Sequence, residues 1–97
     1  MIVLDDFMAF GVITAARANN IQIPNEMAIM GFSDSRFCSL IDGGLTSISL
    51  NINLIVEHAV DLLLEIVNDP TGVESRRAIV PCELRVRRST SRMRGDL

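Results

Sequence analysis

The chain has 97 residues and a net charge of −3, so it holds at most one small domain and is too acidic overall for a general nucleic-acid binder. Apolar residues make up 48% of it, a high share for a small domain, so the core is unusually dense or some apolar faces meet something outside the chain.

"MIVL" is a short apolar, β-branched run that ends at Asp5-Asp6. Phe7, Phe10, Ile13 and Ala16 then recur at helical spacing, with Met8, Val12 and Ala15 beside them. Asp5 suits the N-cap, a second acid suits the first turn, and Asn19-Asn20 suits a left-handed stop. "IQIPNE" is the connection, and "MAIMGF" is a near-continuous apolar run, the mark of a strand covered on both faces in a parallel sheet. Strand, helix and strand within about thirty residues make a βαβ unit with a right-handed crossover.

After a turn-prone stretch, "DSRFCSLI", and the break "DGG", "LTSISL" is a third extended piece. Asn51 is placed to cap the next helix, whose apolar face is Ile52, Ile55, Val56, Ala59, Leu62, Leu63 and Ile66. Glu57, His58, Asp61 and Glu65 form its polar face, and "DPTG" stops it. "RAIVP" and "ELRVRRS" read as two more strands, the second an alternating edge strand.

Charge is segregated. All nine basic residues are arginines; two, Arg17 and Arg36, precede residue 75 against ten acids, and seven follow it against two. The tail is either a solvated strand edge or an anion or nucleic-acid contact, though it lacks the aromatic residues that stack on single strands. Cys38 and Cys82 have no CxxC spacing and no histidine nearby, so they read as small buried apolar residues in a reducing compartment. No signal-like start and no run of about 18 apolar residues appears, so the expected location is the cytoplasm, with no membrane partner.

Ligands of open α/β sheets bind beyond the carboxyl ends of the strands. The first two strands end at Asp5-Asp6 and Ser33-Asp34, which places all four side chains on one rim. The acid pair after a first strand resembles a receiver-domain magnesium pocket, but that pocket needs a lysine, and this chain has none. There is no P-loop and no GxGxxG, His58 is the only histidine, and Ser35 and Ser39 lack a base. Neither an enzyme, a metal site nor a cofactor is expected. Carboxylates and hydroxyls on a rim suit a small polar ligand such as a polyol, held noncovalently.

The order "DDFMAFG", a helix, "IPNEMAIMGFSD", "LTSI", an amphipathic helix and "VPCELRVRRST" resembles the C-terminal part of lac-repressor-family transcriptional regulators. Those proteins read NDxMAxG, GFDD, LTT and LVxRxST in the same order. The resemblance implies a fragment of a type I periplasmic-binding-protein-like sugar-binding domain, built of two α/β subdomains that the chain crosses between. Residues 1–46 would end the C-terminal subdomain, 47–75 would cross and form a helix of the N-terminal one, 76–90 would return, and 91–97 would be a tail. The helix-turn-helix would be absent, so DNA would be contacted only through a domain missing here.

Carried over by position, the effector contacts are Asp5 (asparagine in the family), Ser33 (aspartate), Asp34 (kept) and Leu50 (often glutamine), with Asp6 beside them. The implied homodimer contact comprises Phe10, Phe37, Cys38, Leu40 and Ile41. A periplasmic-type sugar-binding module and a small domain binding nucleic acid through its arginine tail are the rival readings.

Overall fold

The computed structural model describes residues 1–41, 43–71 and 76–91. Asp42 of the "DGG" break, Gly72 of the helix stop and residues 92–97 of the tail lie outside them. The elements are α1 (Asp6–Ala18), β1 (Ser47–Ser49), α2 (Ile52–Asn68) and β2 (Glu83–Arg85), with single 3-10 turns at Arg36–Ser39 and Arg88–Thr90. The chain forms two compact units: Met1–Ser49 with Glu83–Leu97, and Leu50–Cys82.

In the first unit, α1 begins as the sequence requires. Asp5 is extended and its side chain accepts from Met8 N at 2.8 Å. The helix ends in a Schellman motif: Ile21 N donates to Ala16 O, Asn20 N donates to Arg17 O, and Asn20 takes the left-handed φ of 58°. The buried stripe of α1 is Asp6, Ala9, Ile13 and Ala16: Ile13 and Ala16 are buried as expected, while Asp6 and Ala9 take the places expected for Phe7 and Phe10. Phe7 is exposed and Phe10 half-buried; both rings meet Phe37, with centroids 5.5 and 6.2 Å away.

The expected first two strands shorten to single parallel bridges, Ile2 with Met30 and Met30 with Thr46. Val3 N donates to Met30 O and Met30 N to Met1 O on one side; Gly31 N donates to Thr46 O and Ser33 N to Ile48 O on the other. The middle segment is thus flanked on both edges. β1 then pairs antiparallel with β2, Ser47 opposite Arg85, Ile48 opposite Leu84 and Ser49 opposite Glu83, so the pairing is mixed rather than purely parallel. Val3, Ala9, Ile13, Ile29, Cys38 and Leu45 form the core between α1 and these segments. Each fully buried large aliphatic side chain contributes about 1.5–3 kcal/mol.

The "RRST" segment is sewn to this core. Ser89 Oγ donates to Ile29 O at 2.6 Å and accepts from Thr46 N at 2.8 Å. Thr46 Oγ1 donates to Arg87 O, accepts from Arg87 N and lies 2.7 Å from Thr90 Oγ1. Thr46 and Ser89 are buried, and these bonds satisfy their hydroxyls.

In the second unit, none of the residues of α2 is buried, so the expected apolar face is not covered there. Ile55, His58, Ala59 and Leu62 form a groove with Ala78 and Val80; His58 is half-buried rather than solvated. The "RAIVP" strand does not form: 76–82 is irregular, tied to α2 by an Arg76–Glu65 ion pair. Asn51 precedes α2 in the left-handed region with no side-chain cap; its carbonyl accepts from Ile55 N instead. Among the described residues no helix is long and apolar enough to cross a membrane.

Candidate functional site

The parallel pairing sets the ends of the three extended segments on one edge of the first unit. Asp5 follows the first, Ser33-Asp34 the second, and β1 extends the third. Asp5 is half-buried and its Oδ1 caps α1. Ser33 is exposed, at a φ of 101°, and Asp34 follows at 52°. Asparagine and aspartate tolerate that region; a serine there carries strain of about 1–2 kcal/mol.

Asp6 does not stand on the rim. It is 1% exposed, and both carboxylate oxygens are engaged inside the chain. Ser35 N donates to Oδ2 at 2.7 Å and Ser47 Oγ to Oδ1 at 2.8 Å, while Ser47 Oγ accepts from Asp34 N at 2.9 Å. One buried carboxylate therefore joins α1, the loop after Phe32 and β1. Burial pushes this carboxyl up, but the bonds from Ser35 and Ser47, with a smaller one from Cys38, hold it below the usual carboxylate range. Burial and the donation to Asp6 push the Cys38 thiol up. Gly31 shows why a glycine precedes Phe32: a Cβ there would fall on Asp6 Oδ1 and lie 3.2 Å from Asp6 Cα.

Arg87 joins the site from β2's continuation, and the expected set lacked it. Its Nη1 stands 2.8 Å from Asp34 Oδ1, an ion pair without an aligned hydrogen bond, and donates to Leu45 O at 2.9 Å. The signal was present as the arginine of the RxST pattern, but charge counting alone grouped it with solvated edge arginines. Leu50 is half-buried and begins the second unit.

Of the five expected dimer residues, Cys38 is fully buried in the core and offers no surface to a partner. Leu40 is 77% exposed, Phe37 is exposed, and Phe10 and Ile41 are half-buried. Cys82 is exposed, not buried. Among the described residues no group of histidine, cysteine and acidic side chains could hold a metal.

Parallel segments with a helix crossover place polar side chains at their carboxyl ends, the edge at which open α/β sheets bind ligands. Residues 1–90 match the periplasmic binding protein-like domain, and the chain belongs to that family. Its relatives within the family are transcriptional regulators of the LacI type. It is 33% identical over 91 residues to the HTH-type transcriptional regulator MalR of Streptomyces coelicolor, covering 94% of this chain and 26% of that protein. A LacI-family regulator from Enterococcus faecium, solved with bound ribose, superposes with a TM-score of 0.81 at 26% identity, over 96% of this chain and 34% of that one. A periplasmic binding protein/LacI transcriptional regulator from Alkaliphilus metalliredigens, complexed with D-xylulofuranose, gives 0.83 at 30% identity, over 94% and 34%. The chain therefore spans about a quarter of the length of the curated relatives it matches, and about a third of the solved chains.

Proposed function

We propose that this chain is the effector-binding part of a sugar-responsive transcriptional regulator, acting by noncovalent recognition and not by catalysis. The observation that carries this reading is the rim of Asp5, Ser33 and Asp34, in a fold shared with a regulator solved with ribose. Asp34 is the central contact. Arg87 pairs with its Oδ1, and the carboxylate as a whole is only half-buried, so it can accept from a sugar hydroxyl. A second copy would pair through Phe10, Phe37, Leu40 and Ile41. DNA would be reached through residues outside this chain, in the cytoplasm. The tail favours nucleic acid less: Arg76, Arg85 and Arg87 are each paired with a carboxylate, Glu65, Glu83 and Asp34.

Equilibrium titration with D-ribose, followed by amide shifts, tests the reading. Saturable shifts at Ser33 and Asp34 are expected, and Asp34→Asn should weaken binding about tenfold, the loss of one charge-assisted bond. Ser33→Asp restores the family's acid and should tighten binding. Unchanged affinity in Asp34→Asn overturns Asp34 as the contact.

A further inference from the structure

At the opposite end of the first unit from the Ser33–Asp34 rim lies a pocket of about 460 Å³, within the usual range for small-molecule sites. The last turns of α1, the connection after it, and the Gly44 and Arg88–Ser89 backbone surround it. Its floor is isoleucine: Ile13 is buried, Ile23 and Ile41 are half-buried against the core, and Ile21 is exposed. Its polar side chains are two guanidiniums, Arg17 and Arg88, the amides of Asn20, Gln22 and Asn25, and the hydroxyl of Ser89, which is engaged in the core; among the described residues no carboxylate lines it.

Among the described residues none of the five guanidinium and amide side chains is engaged elsewhere. The described ion pairs use Arg76, Arg85 and Arg87, and the side-chain hydrogen bonds of this region are made by Asn19 and Glu26. Two unpaired cations beside one apolar hollow repel each other, and an anion between them removes that repulsion. A bare inorganic ion would leave the isoleucine floor in water, and a neutral polyol would leave both guanidiniums without a charge partner. We propose that this pocket binds a small organic anion, its carboxylate on Arg17 and Arg88 and its apolar body on Ile13, Ile21, Ile23 and Ile41. The proposal does not rest on the sugar-binding reading, because the two sites share no residue.

The test is an amide-shift titration of the whole chain with benzoate, benzyl alcohol and inorganic phosphate. Benzoate should give saturable shifts at residues 17–25 and 88–89, leaving Ser33 and Asp34 unmoved. Arg17→Gln and Arg88→Gln, both at exposed positions, should each raise the benzoate Kd about five- to tenfold, in spectra that otherwise report an intact fold. Benzyl alcohol should not saturate. Non-saturable benzoate shifts, equal binding of benzyl alcohol, or an unchanged Kd in both variants would each overturn the proposal. Inorganic phosphate binding the same residues as tightly as benzoate would remove the apolar half and overturn it as stated. Shifts centred on Ser33 and Asp34 would move benzoate to the sugar rim and refute the pocket.

Discussion

Replacing Asp6 by asparagine should unfold most of what holds the rim together, whereas the same change at its neighbour Asp5 should be nearly silent. The Asp6 carboxylate is buried and accepts from Ser35 N at 2.7 Å and Ser47 Oγ at 2.8 Å. Hydrogen bonds to a charged acceptor contribute about 1.5–3 kcal/mol each, and neutral ones about 0.5–1.5. In Asp6→Asn one oxygen becomes an NH₂ facing a donor, so one bond is lost and the other weakens, a combined loss on the order of 3 kcal/mol. Asp5→Asn keeps an equally good N-cap for Met8 N and should cost under about 0.5 kcal/mol.

Urea unfolding followed by far-UV circular dichroism reads both. With a slope of about 1 kcal/mol/M for a chain this size, Asp6→Asn should lower the midpoint by roughly 2–3 M or abolish the transition. pH supplies a second check. The folded Asp6 carboxyl titrates below its ordinary value of about 3.9. The stability it contributes is therefore complete above that value and is lost as pH falls through the depressed folded pKa. The gap between wild type and Asp6→Asn should be full at neutral pH and narrow in strong acid. Equal midpoints for the two asparagine variants, or a gap that is the same at pH 7 and pH 3, would refute the assignment of Asp6 as a buried, charged junction.

Ser89→Ala leaves Ile29 O and Thr46 N without the hydroxyl between them and should cost about 2–3 kcal/mol, read as a lowered thermal midpoint. Gly31→Ala drives a methyl into Asp6 and should cost at least about 1–3 kcal/mol by the same urea assay. Ser33→Gly relieves the strained φ of 101° and should stabilise the chain by about 1 kcal/mol; a lower urea midpoint would show that the serine side chain contributes more than its backbone strain costs.

Much of the first unit was legible locally. The Asp5 cap and the Asn19-Asn20 stop depend on residues close in sequence, and both took their expected form; "MAIMGF" keeps parallel neighbours but only as single bridges. The misreadings share one cause. Whether Asp6 or Asp5 faced the rim, which residues of α1 were buried, and where Arg87 pointed depend on partners 29 to 53 residues away, such as Ser35, Ser47 and Asp34. Periodicity gave α1 an amphipathic face but could not distinguish Phe7 and Phe10 from Ala9, because both sets lie within one helical stripe's width. Asn51 failed as a cap because cap preference is statistical and its backbone is left-handed, not in the extended conformation a side-chain cap adopts.

From the sequence alone came the family, the order of elements and the polar ends of the strands, because motif spacing, hydropathy and capping chemistry are written in neighbouring residues. Tertiary structure alone decided which of two adjacent aspartates is a half-buried helix cap and which a buried junction. It also decided that Gly31 must be bare, and that an arginine from the end of the chain holds Asp34. A carboxylate's role is set by the donors that surround it, and folding brings those donors from distant parts of the chain.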